Sequence, residues 1–238
     1  MTRVTLTRRN RVHELRAELR AAQKSGAGVP AYTRWINRRL ARSVAPFAAA
    51  WGVTPNAVTF LSAALTVAGI AVLVFVPLSL AVGVAAAILL AAGYVLDSAD
   101  GQVARLTRSA APAGEWLDHV VDAFRTPLIH TGVAIAYYLH RPDEVWVMAI
   151  ALAYALLSSG QFMSQILAEQ LSARHGRSMV EASGRVKSLV LLPVDPGTLC
   201  WAFALWGTEA FAPLYALLFA ANLVHTAASL RRKHRRLV

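Results

Sequence analysis

Four aspartates fall close together in an otherwise apolar stretch of the chain: Asp97, Asp100, Asp118 and Asp122. An ionised side chain inside a membrane helix costs about 2.5–3.5 kcal/mol on insertion scales, so four of them call for a shared purpose. The first two are spaced i,i+3 and the second two i,i+4, which puts each pair on one helix face. Brought to a common depth, four carboxylates repel one another strongly unless a counter-charge sits among them. Hard divalent cations with oxygen ligands supply such a charge, and Mg²⁺ is the usual choice in phosphate chemistry. The blander alternative is that the acids pair separately with Arg105, Arg108 or Arg125, or face water.

The elements that must position these acids follow from composition. Of 238 residues, 56% are hydrophobic and 16% charged, against roughly 25% charged in soluble domains. Intrinsic disorder is excluded, and a water-soluble globule fits poorly. Between Arg42 and Asp97, 54 consecutive residues carry no charge. As one helix they would run roughly 80 Å, far beyond a hydrocarbon core of about 30 Å. The chain must fold back, with Pro77 as the natural turn, and Thr54-Pro55 reads as an N-cap followed by proline at the first helical position. Six spans are predicted, at 55–76, 78–105, 114–139, 145–168, 185–206 and 210–230; the fifth is weakened by Asp195 between Pro193 and Pro196. The short segment 106–113 favours an antiparallel hairpin of the second and third spans. Counted inward from that loop, the two acid pairs reach matching depths, roughly 6–12 Å at about 1.5 Å per residue.

Charge placement sets the orientation. The chain carries 24 Lys and Arg against 13 Asp and Glu, a net charge of +11. Eleven basic residues precede the first span, Arg105 and Arg108 lie between spans two and three, and Arg174, Arg177, Arg185 and Lys187 lie between four and five. The run Arg231-Arg232-Lys233-His234-Arg235-Arg236 follows the sixth, while the opposite side offers only Arg141. The positive-inside rule then predicts a multi-pass cell-membrane protein with both termini cytoplasmic, and it explains the basic charge without a nucleic-acid partner. Tyr32, Ile36, Leu40 and Val44 recur every four residues, with Arg34, Arg38 and Arg42 on another side. That pattern predicts an amphipathic helix lying on membrane lipids at the cytoplasmic surface. Residues 9–24 are helix-prone but have a thin apolar face, and read as a flexible or loosely docked arm. The single cysteine, Cys200, rules out an intramolecular disulfide, and the first 30 residues hold no apolar signal stretch.

Written out, the acidic region is Asp97-x2-Asp100-Gly101-x2-Ala104-Arg105-x8-Gly114-x3-Asp118-x3-Asp122. At all eight fixed positions over 26 residues it resembles the pattern D-x2-D-G-x2-A-R-x8-G-x3-D-x3-D of the CDP-alcohol phosphotransferase family. The six spans and the preceding surface helix are also similar to that family, as is Thr54-Pro55-Asn56, which resembles a Pro-Asn common just before its first span. The resemblance implies that Asp97, Asp100 and Asp118 bind metal, with Asp122 sharing a second ion or acting as base. The cofactor would be Mg²⁺, two ions, with Mn²⁺ as a substitute. A cytidine diphosphate would lie against Asn56, Asp100, Gly101, Ala104, Arg105 and Gly114. The residues themselves are compatible with this: Gly101 leaves the backbone open to a phosphate, Ala104 keeps the wall narrow, and Arg105 can neutralise a pyrophosphate. Gly114 would permit close packing where the third span starts, although small residues are common at any membrane-helix contact.

The fold class expected is therefore an all-α integral membrane protein, six transmembrane helices preceded by a cytoplasmic amphipathic surface helix. Residues 1–30 form the cytoplasmic N-terminal arm, 31–54 the juxtamembrane helix, 55–230 the six-helix catalytic domain and 231–238 a basic cytoplasmic tail. The implied reaction is attack of an alcohol hydroxyl on a CDP-linked donor with release of CMP, in phospholipid biosynthesis, by an enzyme that the resemblance also implies is a homodimer. CDP-diacylglycerol with a small polar alcohol is the favoured pairing, and a CDP-linked headgroup with a lipid alcohol is the alternative. Asp122 is the first choice of base. His119 is the second, because Gly114-Glu115-x2-Asp118-His119-x2-Asp122 resembles the choline/ethanolamine branch. Gly184-Arg185-Val186-Lys187-Ser188 instead resembles a G-K-x-K-T stretch of glycerophosphate-type members. Arg125, Arg185 and Lys187 are candidates for holding an acceptor or lipid phosphate. A cation or proton transporter is the reading from a different class, since intramembrane acids are typical there too.

Overall fold

In the computed structural model, which describes residues 8–21, 28–176 and 184–238, every regular element is helical. α1 (Arg8–Ala21) precedes a π-helical turn, Thr33–Asn37, that runs directly into α2 (Arg38–Ala50). The long helices follow: α3 (Pro55–Phe75), α4 (Leu80–Leu106), α5 (Pro112–His140) and α6 (Val145–Arg174). After α7 (Arg185–Val190) come a 3₁₀ turn at Leu192–Val194, α8 (Pro196–Ala202) and a second 3₁₀ turn at Phe203–Leu205. α9 (Phe211–Leu237) carries the basic run 231–236 within its last turns, so that run is helical.

Local chemistry explains the boundaries. Thr54 Oγ1 accepts from Ala57 N at 3.2 Å and Pro55 occupies the first helical position of α3, which satisfies one orphan donor and needs none from proline. Ser79 caps α4 in the same way through Val82 N. The polar turn after α5 is closed by Arg141 Nη1 donating to Glu144 Oε1 at 2.8 Å.

By length and composition α3, α4, α6 and α9 can each cross a membrane, which makes this a membrane protein. α5 is equally long but carries the acidic residues. The fifth expected span, 185–206, is not one continuous helix, and its longest apolar piece is Pro196–Leu205. The break falls at Asp195, whose side chain takes the Gly197 N–H at 3.0 Å while Pro193 and Pro196 offer no donor. Asp195 also accepts from Thr33 N and Thr33 Oγ1, each at 2.8 Å, so it ties the start of the juxtamembrane helix to α8.

The four-residue stripe on the juxtamembrane helix is divided by the π turn. Ile36 and Leu40 face outward with Phe47 and Trp51, whereas Val44 packs towards the bundle beside Ala41 and Ala45. Tyr32 lies against Gly197, where any Cβ would overlap its ring. α1 is docked rather than loose: Leu15 and Leu19 pack with Ala41, Ala45, Ala99 and Val103. A thin apolar face suffices because α2 and α4 meet it with alanines. A larger cluster brings together Tyr137 of α5, Tyr154 of α6, Phe203 and Trp206 of the second 3₁₀ turn and its end, and Phe211 and Tyr215 of α9. Trp206 is fully buried there.

Close approach of α3 and α4 depends on Gly93. A Cβ there would lie 2.9 Å from Thr66 Oγ1 and 3.0 Å from the Ser62 carbonyl oxygen. Helices in lipid associate through such small-residue contacts. Gly93→Ala should therefore lower the thermal midpoint in detergent, by the equivalent of about 1–3 kcal/mol, and an unchanged midpoint would contradict this packing.

Candidate active site between α4 and α5

α4 delivers Asp97 and Asp100 near its end and α5 delivers Asp118 and Asp122 near its start. The short segment 107–111 joins the two helices, but their backbones are not closely packed on each other. Each packs on α3, and the cleft left between them is where the acids meet. Carboxylate oxygens of Asp97, Asp100 and Asp118 lie within 4.8 Å of one another. Ligand atoms of Asp118, His119 and Asp122 satisfy the same limit, so Asp118 belongs to both groups.

One guanidinium supplies the internal counter-charge. Arg125 Nη1 lies 2.5 Å from Asp97 Oδ1 and 2.7 Å from Asp122 Oδ1, while Nη2 donates to Ser62 Oγ at 2.9 Å. Its side chain is only 10% exposed. From the sequence Arg125 was expected to meet an acceptor or lipid phosphate. The i,i+3 spacing sets it on the Asp122 side of α5, where Nη1 meets the acids and Nη2 meets Ser62, and the residue also borders a large cavity.

Asp100 is held differently. It is buried, and Thr59 Oγ1 donates to its Oδ2 at 2.6 Å while Gly101 N donates to Oδ1 at 2.5 Å. Ser62 Oγ donates onward to the Gly93 carbonyl at 2.7 Å. Thr59 and Ser62, together with Thr66, form a buried polar stripe on α3 that sequence reasoning missed. Its signal was present: three small hydroxyls at i, i+3 and i+7 in an apolar helix share one face.

The remaining sequence-derived residues divide by place. His119 Nε2 stands 3.9 Å from Glu115 Oε1, too far for a hydrogen bond, with its ring edge-on to Phe162. Gly101 is exposed, and a Cβ there would meet only Arg105 Nη1 at 3.7 Å; one at Gly114 would meet only Asn56 Oδ1 at 3.7 Å. Gly114 is thus not required for close helix packing, contrary to the sequence reading. Neither glycine is explained by crowding within the chain, and both border Asn56 or Arg105. Arg105 Nε is buried without a hydrogen-bond partner.

The donor set suits a hard cation. It is dominated by carboxylate oxygens, and opposite oxygens on octahedral Mg²⁺ are about 4.2 Å apart, within rotamer adjustment of the spacing seen. Asp97 Oδ1 is buried with no hydrogen bond of its own, although it meets Arg125.

Residues 52–228 match the family model for CDP-alcohol phosphatidyltransferases. The chain belongs to this family. It is 29% identical over 198 residues to the archaetidylinositol phosphate synthase of Aeropyrum pernix, covering 82% of this chain and 93% of that protein. The protein is accordingly a transferase of phospholipid biosynthesis, and the transporter reading is set aside. Members of the family use CDP-linked donors and alcohol acceptors and depend on divalent metals.

In this CDP-alcohol phosphatidyltransferase, a cavity of about 1280 Å³ opens beside the acid cluster. Asp122 and Arg125 border it from α5, and Tyr154, Gln161 and Gln165 from α6. Lys187 also lines it, together with Arg232, Lys233 and Arg236 from α9. The structure separates two residues that the sequence grouped: Lys187 lines the cavity, while Arg185 is exposed and does not.

Replacing Arg125 should expose its balancing role. Arg125→Gln leaves Asp97 and Asp122 without their nearest cation, and an uncompensated buried charge costs about 3–5 kcal/mol. Its thermal midpoint should fall markedly in EDTA and recover in millimolar Mg²⁺, while the parent protein shows a smaller metal effect. Equal drops under both conditions would count against divalent binding at this cluster.

Proposed function

We propose that the protein transfers the phosphatidyl group of CDP-diacylglycerol to a hydroxyl of a phosphorylated polyol, of the inositol phosphate type, with release of CMP. The observation that supports this reading is the cavity that Asp122 and Arg125 border, whose remaining lining is net basic, with Lys187, Arg232, Lys233 and Arg236 against Asp195 and Glu169. A cavity with that charge favours an anionic acceptor, and the name of the Aeropyrum pernix relative contains an inositol phosphate headgroup.

Each group then has a task. Asp97, Asp100, Asp118 and Asp122 would hold the divalent metal, with Asp122 as ligand or base. Such a metal, when bound, would supply positive charge against the diphosphate and the leaving CMP. Thr59 and the Gly101 N–H fix the Asp100 carboxylate, and Arg125 keeps Asp97 and Asp122 from moving apart before the donor arrives. Asn56, Gly101, Ala104, Arg105 and Gly114 receive the cytidine diphosphate along α4 and the start of α5, with Arg105 facing its charge. The acceptor hydroxyl oxygen attacks the phosphorus bearing the lipid. The bond from that phosphorus to the CMP oxygen breaks, CMP leaves with the electron pair, and the hydroxyl proton passes to Asp122. The basic residues near the helix ends support a reaction at the cytoplasmic face of the membrane, the side that the positive-inside rule gives to both termini.

His119 supports a second reading, a CDP-linked headgroup donor with a lipid alcohol acceptor, because its ring joins Asp118 and Asp122 at the cluster. One assay separates the two. Purified protein in detergent with Mg²⁺ should release CMP from CDP-diacylglycerol given an inositol phosphate, and release far less with CDP-choline and diacylglycerol. Asp118→Asn should lower the rate by about 100-fold or more. Asp122→Asn should cost about 100-fold and His119→Gln clearly less. CMP release independent of divalent metal, or full activity in Asp118→Asn, would sink the assignment.

A further inference from the structure

The acid-bordered cavity leaves one concentration of positive charge unused. A second cavity, about 390 Å³, lies between α1 and α2 and is lined by Arg16, Leu19, Arg39, Arg42 and Ser43. It shares no lining residue with the larger cavity. Three guanidinium groups border it, and among the described residues no carboxylate forms an ion pair with any of them. Packing of Leu15 and Leu19 docks α1 here and brings Arg16 up to Arg39 and Arg42. Gathering three like charges around a hollow is unfavourable unless an anion takes the space between them.

The surroundings say which anion. Arg16 sits over the Phe47 ring, its guanidinium carbon 5.2 Å from the centroid. Phe47 belongs to the exposed apolar set Ile36, Leu40, Phe47 and Trp51 on the same helical segment. A helix with that face lies where hydrocarbon gives way to headgroups. The arginines therefore flank the layer in which lipid phosphates sit, with an aromatic surface beside them for the first methylenes of an acyl chain. Arginine forks match phosphate oxygens in geometry as well as charge. Arg42 is also anchored, since its Nε donates to the Arg38 carbonyl at 3.2 Å.

We propose that Arg16, Arg39, Arg42 and Ser43 form a discrete site for the phosphate of an anionic phospholipid, distinct from the donor and acceptor sites. Its occupant clamps α1 to α2. Because α2 packs through Ala41, Ala45 and Ala49 on Ala99 and Val103 of α4, occupancy braces the segment of α4 that carries Asp97 and Asp100.

The test uses the delipidated full-length protein and needs no turnover, so its failure would leave the transferase reading intact. Native mass spectrometry and thermal melting are run with phosphatidylglycerol, phosphatidylcholine or inorganic phosphate. One phosphatidylglycerol per chain should be retained over phosphatidylcholine and should raise the melting temperature. The double variant Arg39→Gln/Arg42→Gln should weaken that retention by about 10- to 30-fold, at about fivefold per charge. Arg231→Gln/Arg235→Gln, which removes equal charge from α9, should leave it unchanged. If the α2 variant melts differently without lipid, Arg16→Gln on α1 should by itself lower retention about fivefold. Equal retention in the α2 and α9 variants would overturn the site. Stabilisation by millimolar inorganic phosphate, with no preference between the two lipids, would overturn the lipid assignment in favour of a soluble phosphate.

Discussion

The organising constraint is the burial of like charge. Asp97, Asp100, Asp118 and Asp122 meet in a cleft inside an apolar bundle, where their repulsion is screened far less than in water. Every nearby polar feature answers that problem. Arg125 sits between Asp97 and Asp122, Thr59 and the Gly101 N–H hold Asp100, and Ser62 links Arg125 to the backbone of α4 through the Gly93 carbonyl. A single arginine balances only part of four carboxylates. The remaining negative charge is what suits the cluster to a cation, beyond what structural salt bridges would need.

Such a cluster needs a rigid frame, and the frame is built from small residues. α3 acts as the common wall for α4 and α5, and Gly93 lets α3 approach α4 closely enough for the Ser62 bond to form. Because α4 and α5 share α3 instead of packing on each other, a gap persists between the two acid pairs. At the other end of the juxtamembrane region, Asp195 fastens Thr33 to α8, and Tyr32 fills the hollow over Gly197. The juxtamembrane helix is thereby joined to both halves of the bundle, one through Ala41 and Ala45 and the other through Asp195.

Membership of the CDP-alcohol phosphatidyltransferase family gives this geometry a chemical meaning. The CDP-linked donors that the family uses carry a diphosphate, and the proposed site would bring that charge to a cleft already rich in carboxylates, which is the physical reason to expect a cation there. Asp122 and Arg125 also border the larger cavity, whose lining carries Lys187, Arg232, Lys233 and Arg236 alongside Asp195 and Glu169.

Much of this was legible in the chain because its signals are local. Helix limits followed from Thr54-Pro55, Pro77 and the uncharged run, and the pairing of acids followed from i,i+3 and i,i+4 spacing, since helical periodicity fixes which side chains share a face. The break in the fifth span was foreshadowed by Asp195 between two prolines. Three things depended on contacts between segments far apart in sequence, and only the tertiary structure decided them. The Thr59–Ser62–Thr66 stripe gained significance once α3 proved to be the shared wall. Arg125 gained a place as internal counter-charge because the bundle sets Asp97 opposite it. α1, whose apolar face alone is too thin to predict docking, found its place because α2 and α4 offered alanines that let two leucines reach them. Sequence spacing determines which residues of one helix stand together; which helices stand around them is settled by packing and by the need to compensate buried charge.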